Sequence, residues 1–190
     1  MLDIGVSGAQ GSFSGAAGQM YARDHKLGRR KLRYLISVEG VLAALEKGEI
    51  DLGIFPIENL RGGLVEEAIL AMSAHNFKIE RVFNFDVHQN LLVKNGTTAS
   101  QVSNITSHVQ TQLQCRHYLA QHWPDTPFRA YADTAQAAAD LASGTLPPTT
   151  AVIASLEAAR VYKLKVLVQS IHDEKFNITR FIAARRRIRR

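Results

Sequence analysis

The sequence predicts an α/β fold in two lobes, and three observations predict it. Strand-like runs alternate with helical patterns in two separate groups, a long extended stretch stands between the groups, and a second long extended stretch returns at the end of the chain. The simplest connection is two lobes joined by two crossings, with residues 1–80 plus 169–190 in the first lobe and 81–168 in the second. A chain of 190 residues is long enough for two small lobes and too short for two ordinary domains. Ligands of open α/β sheets collect at the carboxyl ends of the strands and in clefts between lobes, so the strand ends hold the candidate site.

In the first group, "MLDIGVSG" reads as a short strand entering a glycine-rich turn, and the small residues after Ser12 begin a helix that runs to about Asp24. "KLRYLIS" is the second strand. "VEGVLAALEKGEI" puts Val38, Val41, Leu42 and Leu45 on one helical face, with Gly48 as its C-terminal stop. "DLGIFPI" is a buried strand, and "ENLRGGLVEEAILAMSAH" turns into a third helix. The first long stretch is "FKIERVFNFDVHQNLLVKNG". In the second group, "SNITSHVQTQLQCRHYLAQHW", "FRAYADTAQAAADLASG" and "TAVIASLEAARVYKL" each read as a strand followed by one helix, before the second long stretch, "KVLVQSIHDEKFNITRFIAAR".

Composition narrows the function classes. With 46% hydrophobic and 21% charged residues the chain reads as globular rather than disordered or fibrous. No run approaches the ~20 apolar residues that cross a bilayer, and the N-terminus lacks a basic segment followed by an apolar run. A single cysteine, Cys115, excludes an internal disulfide, so the expected location is the reducing cytoplasm. The net charge of +6 suggests nucleic acid at first sight. It falls to +1 once Arg185, Arg186, Arg187, Arg189 and Arg190 are set aside, so the basicity is a tail, read here as solvated and mobile. Nucleic-acid binding is the weaker reading.

The strand ends collect hydroxyls and carboxamides. Glu58 and Asn59 follow the third strand, Ser107 and His108 follow "SNIT" with Gln110, Gln112 and Gln114 on the next helix, Asp133 and Thr134 follow "FRAYA", and Asn177 and Thr179 mark the returning strand. Each has a plainer explanation: Asn59, Ser107 and Asp133 are all residue types that cap helices, and Thr179 fits any strand. The turn "GAQGSFSGAAG" lacks the Gly-Lys-Ser/Thr of a P-loop; it is either an anion site made of backbone N–H groups and a helix N-terminus or an ordinary tight turn. Ser12, Ser14 and Ser107 lack a nucleophile elbow. His108, Cys115 and His117 do not have a zinc spacing, which leaves only metal ligands converging from distant segments.

In order along the chain, "GSFS", "PIEN" followed by Gly63, "SH" with "QC" seven and eight residues after the serine, "DTAQAA" and "NITRF" make a sequence that resembles the prephenate dehydratases. The resemblance implies a periplasmic-binding-protein-like (type II) fold and an enzyme that converts prephenate to phenylpyruvate, releasing water and carbon dioxide, on the route to phenylalanine. It implies that Thr179 assists departure of the ring hydroxyl and that Asn59, Ser107 and Gln114 bind and orient the substrate. It counts Glu58, which supports the same turn, as catalytic beside Thr179. Ser12 and Ser14 of "GSFS", with Arg61 and Arg180, complete the expected contacts to a dicarboxylate. No metal or cofactor is implied. A homodimer is, and because the chain stops soon after "TRF", no ACT regulatory domain is expected.

Leu60 stands where the family generally has serine or threonine after "PIEN". Either Leu60 simply packs and that hydroxyl is dispensable, or the neighbouring Arg61 grips a carboxylate through two hydrogen bonds. Val109 replaces a usual proline, Gln89 a common histidine and Ala9 another proline. These departures keep two alternatives beside prephenate dehydration: an arogenate dehydratase, and a non-catalytic binding module on the same scaffold.

Overall fold

The computed structural model describes residues 1–187. In chain order the first elements are β1 (Leu2–Val6), α1 (Phe13–Asp24), β2 (Arg30–Tyr34), α2 (Val38–Lys47), β3 (Leu52–Asn59), β4 (Gly63–Leu64), α3 (Glu66–Ala74) and β5 (Phe77–Asp86). There follow β6 (Asn90–Val93), β7 (Asn104–Ser107), α4 (Val109–Gln114), α5 (Arg116–His122), β8 (Phe128–Ala130), α6 (Thr134–Ser143), β9 (Thr150–Ala154), α7 (Leu156–Tyr162), β10 (Lys165–Val168) and β11 (Ile178–Arg186). They form two compact units. Of the described residues, the first holds Met1–Ala9, Phe13–Asp86 and 177–187; the second holds Gln10–Ser12 and Val87–Phe176.

The crossings therefore fall after Asp86 and before Asn177, several residues beyond the bounds at 80–81 and 168–169 that the sequence suggested. The cause is strand pairing. β5 stays hydrogen-bonded to β11 from Phe77 to Asp86, while the segment after β10 is tied to the second unit by the Ile171 N–H, which donates to the Gln89 carbonyl at 2.8 Å. Each long extended stretch is thus two strands in two different sheets, β5 with β6 and β10 with β11, and not one continuous strand.

In the first unit the sheet order is β2-β1-β3-β11-β5, with β4 paired to β3. β1 is parallel to β2 and β3, as βαβ units require, and β11 inserts antiparallel to both β3 and β5. Helices cover both faces. On one face Val38, Val41, Leu42 and Leu45 of α2 pack with Phe55, Ile182 and Ala184; on the other Ala17, Tyr21 and Ala22 of α1 pack with Ile4, Val6, Leu52, Ile54, Phe181 and Ala183. A fully buried side chain of this size contributes about 1.5–3 kcal/mol relative to exposure. α2 starts on Ser37, whose Oγ accepts the Gly40 N–H at 2.9 Å, and stops at Gly48, which takes the left-handed φ of 76° that a Cβ would strain.

The second unit carries the sheet β10-β6-β9-β7-β8, with β7 parallel to β8 and β9. Its helix after β7 is not the single one expected. The chain breaks at Cys115 into α4 and α5, because the Asp173 carboxylate accepts the His117 and Tyr118 N–H groups at 3.0 and 2.9 Å and so satisfies the start of a second helix. Gln10–Ser12 join this unit through α7. Ser155 Oγ donates to the Gly11 carbonyl at 2.7 Å and the Tyr162 hydroxyl to the Gln10 carbonyl at 2.8 Å. Gly11, at φ +82°, lies where a Cβ would stand 2.9 Å from Tyr162 Cε2.

The basic tail is also shorter than expected. Arg185 and Arg186 belong to β11, where the Arg185 guanidinium ion-pairs with Glu80 and donates to the Asp51 carbonyl at 3.3 Å. Two of the five tail charges are therefore part of the sheet rather than mobile. Arg189 and Arg190 lie outside the described residues.

Candidate active site

The site in the first unit depends on one irregularity. Between Arg180 opposite Glu58 and Phe181 opposite Pro56, β11 advances one residue and β3 advances two, so Ile57 is the extra residue of a bulge. Pro56 has no N–H to give the ladder and sits comfortably there. The bulge changes which side chains share a face. Simple alternation would send Asn59 the way of Phe55 and Ile57, toward α2. Instead Asn59 lies directly opposite Thr179, on the face that Phe181 and Ala183 present to α1.

Asn59 and Thr179 then meet at hydrogen-bond distance. Asn59 Oδ1 accepts the backbone N–H groups of Arg61 and Gly62, both at 2.9 Å. Both partners are obligatory donors, so the carboxamide can sit only one way round. Its Nδ2 therefore faces Thr179 and donates to Thr179 Oγ1 at 2.8 Å, to Asn177 Oδ1 at 3.2 Å and weakly to the Ile178 carbonyl at 3.5 Å. Thr179 is 8% exposed and Asn177 2%. Since Thr179 Oγ1 is an acceptor from Asn59, its own proton must go elsewhere, and no hydrogen bond among the described residues takes it. The site thus holds a nearly buried hydroxyl with its proton available. Phe181 fixes the strand beneath it by stacking on Phe83 at 5.7 Å and meeting Phe85 edge-on at 6.0 Å.

Glu58 and Arg180 belong to the neighbouring rung and point to the other face. Arg180 Nη1 pairs with Glu58 Oε2 at 2.9 Å, and both side chains are well exposed. They line a pocket of about 120 Å³ with Leu60, Asn84 and Ile178. Glu58 is brought to Arg180, then, and not to Thr179. Leu60 is 64% exposed, which removes the reading that it simply packs. Arg61 lies in the exposed turn that Asn59 closes. Asn59 is not a helix cap, since α3 has Val65 at its N-cap. Ser14 lies in the first turn of α1, where its Oγ accepts from Ser7 at 3.3 Å, and no hydrogen bond among the described residues joins this pair to Asn59 or Thr179.

The remaining candidates lie in the second unit. Ser107 is fully buried and its Oγ donates to the Ile153 carbonyl at 2.7 Å, so its hydroxyl ties β7 to β9, while His108 rather than Ser107 caps α4. Val109 stands at the first helical position, where a proline would also fit. Asp133 does cap its helix, accepting the Gln136 N–H at 2.8 Å. Gln114 Oε1 accepts from Gln89 Nε2 at 3.0 Å. Gln89 is 3% exposed and its Oε1 has no partner among the described residues. Ser12 is buried beside Gly11. Burial, reinforced by the charge of Asp173, pushes the Cys115 thiol up to about 12, so it supplies no thiolate. No group of three or more His, Cys, Asp or Glu among the described residues is placed to hold a metal ion.

Sequence reasoning missed the bulge at Ile57, for which Pro56 inside a strand was the available signal, and it missed the hydrogen bond from Asn59 to Asn177, for which there was none.

Among the described residues the chain forms two α/β units on open sheets, and its fold is of the periplasmic-binding-protein-like class. Within that class the sequence model of the prephenate dehydratases matches residues 4–188, and the chain belongs to this family. It is 28% identical over 181 residues to a bifunctional chorismate mutase/prephenate dehydratase of Stutzerimonas stutzeri, covering 95% of this chain and 48% of that one. It is 31% identical over 182 residues to the arogenate dehydratase/prephenate dehydratase 6 of Arabidopsis thaliana, covering 95% of this chain and 42% of the relative. A solved prephenate dehydratase from Arthrobacter aurescens, in complex with L-Phe, superposes with a TM-score of 0.86 at 26% identity, over 99% of this chain and 61% of that one. The chain thus spans about half the length, or less, of these two curated relatives.

Proposed function

We propose that this chain is a lyase that converts prephenate to phenylpyruvate. The observation that carries the reading is the Asn59–Thr179 hydrogen bond, in which Asn59 is the donor and the threonine proton is left for a ligand. The reaction needs little more from the protein than geometry and one such donor. The bond from the ring to its carboxylate breaks and carbon dioxide leaves. The electron pair it releases passes through the ring and expels hydroxide from the opposite carbon, and the ring becomes aromatic. The dianion thus yields a monoanion, carbon dioxide and hydroxide, and hydroxide becomes water by taking one proton. Thr179 Oγ1 donates a hydrogen bond that strengthens as charge grows on the leaving oxygen, and passes on a proton that solvent restores. Asn59 keeps the hydroxyl from turning the wrong way.

Asn59, Ser107 and Gln114 are the proposed orienting contacts, with Ser12 and Ser14 as hydroxyls of the glycine-rich turn. Arg61 and Arg180 supply positive charge for carboxylates, and Glu58 holds Arg180 in place. A cytoplasmic homodimer is the proposed form of the protein, read out by sedimentation velocity of the purified chain.

Arogenate, which carries an amine where prephenate carries a ketone, is the second reading. It is favoured by the Arabidopsis relative's name and by the buried Gln89 Oε1, an acceptor without a donor next to Gln114. Incubation of the purified protein with each compound separates the readings. Phenylpyruvate from prephenate is the expected result, phenylalanine from arogenate supports the second reading, and consumption of neither leaves a binding module.

A further inference from the structure

We infer that Asn177 is a positioning residue for the Thr179 hydroxyl, acting through Asn59; the inference rests on the dehydratase reading. Asn177 is the residue at which the chain re-enters the first unit. It is 2% exposed, so its carboxamide is held in one place at the cost of desolvation unless it is hydrogen-bonded. Its backbone N–H reaches Asp86 Oδ1 at 3.4 Å, on the last residue before the chain leaves that unit. Its Oδ1 accepts from Asn59 Nδ2 at 3.2 Å.

The geometry of the two protons on Asn59 Nδ2 explains what this accomplishes. A carboxamide nitrogen has two N–H bonds in a fixed plane. Asn59 Oδ1 is pinned by Arg61 and Gly62, which settles the face of the amide but leaves the plane free to rock about that pivot. Asn177 takes one N–H and Thr179 the other, and two acceptors on one nitrogen fix the plane. Without Asn177, Asn59 can rock toward the Ile178 carbonyl, already 3.5 Å away, and release Thr179. The threonine hydroxyl would then be free to donate to Asn59 or to solvent, and its proton would no longer be aimed. Asn177 touches no reacting atom in this scheme. It sets the direction of a proton two residues along the chain.

The test is Asn177→Leu, which keeps the shape and removes the acceptor. With prephenate as substrate, kcat is expected to fall about tenfold, the worth of one neutral hydrogen bond. KM should stay within about twofold and the melting temperature within a few degrees, since no substrate contact and little packing is lost. A second readout is the Asn59 side-chain amide in a ¹⁵N–¹H spectrum of the unliganded protein, where both proton resonances should shift. Should Asn177→Leu fail to fold, Asn177→Ser serves, its hydroxyl too short to reach Asn59. A kcat within about twofold of the wild type overturns the inference, as does a loss that tracks the folded fraction or an unshifted Asn59 amide. If the wild-type protein turns over neither prephenate nor arogenate, the dehydratase reading fails, and the Asn59 amide still decides whether Asn177 holds it.

Discussion

Asn59–Thr179 and Glu58–Arg180 are adjacent rungs of the β3–β11 ladder, with nearly equal heavy-atom separations of 2.8 and 2.9 Å. The first is neutral and Thr179 within it nearly buried; the second is charged and exposed, with side chains 52% and 40% accessible. Charge would suggest that the second matters more. Environment reverses the order. Water screens an exposed ion pair and competes for its partners, whereas a hydrogen bond to a nearly buried hydroxyl meets less competition and holds its geometry. The neutral rung is also tied at both ends, by two backbone N–H groups on one side and Asn177 on the other. Alternation puts these two adjacent rungs on opposite faces, and the bulge at Ile57 decides that Asn59 joins Thr179 on the α1 face.

The largest effect should come from the hydroxyl itself. Thr179→Val is expected to lower kcat on prephenate by about a hundredfold or more, the size of a lost oxyanion donor, while costing about 1–3 kcal/mol of stability, because one Asn59 N–H loses its acceptor. Steady-state phenylpyruvate formation and a denaturant melt measure the two halves. Asn59→Asp sharpens the comparison. The carboxylate still accepts from Arg61 and Gly62 and so keeps the turn, but it can no longer donate. Thr179 would then donate to it and kcat should drop about tenfold or more, with a stability loss of about 1–3 kcal/mol because the buried Asn177 Oδ1 would lose its donor.

How much of this was legible in the sequence follows from the range of the interactions. The body and end of α2 were readable, because the Val38–Leu45 face and Gly48 are local signals, whereas its cap, Ser37, read as the end of the second strand. The parallel βαβ core was readable from alternation. The break between α4 and α5 was not, since Asp173 makes it from more than fifty residues away. Nor was the split of the two long stretches between sheets, because "extended" carries no mark of which partner a strand will choose. At the site, motif order pointed to Asn59 and Thr179 as residues. Their face and the direction of the proton came from the bulge and from Asn59's backbone partners.

A smaller effect is expected at the charged rung. In a double-mutant cycle of Glu58→Gln and Arg180→Ala, the coupling in stability should fall below about 1 kcal/mol and shrink further in added salt. A larger, salt-resistant coupling would erase the contrast between the rungs.

The smallest effect lies farther off, at His75, and concerns stability alone. Its ring bridges Glu46 at 2.8 Å and Glu39 at 2.7 Å, and these hydrogen bonds, that to Glu46 first, raise its pKa above the usual 6.5. A raised folded-state value means the folded protein holds the proton more tightly. The contribution is therefore complete below pH 6.5 and is lost as pH rises through the higher folded value. Melting temperature against pH should decline over that window in the wild type and flatten in His75→Gln.

The most direct test is a structure of the protein bound to a stable prephenate analogue that retains the ring hydroxyl. Thr179 Oγ1 should lie about 2.5–3.0 Å from that hydroxyl oxygen while still accepting from Asn59. A ligand bound with its hydroxyl turned away from Thr179, or Thr179 donating to Asn59 instead, would contradict the account.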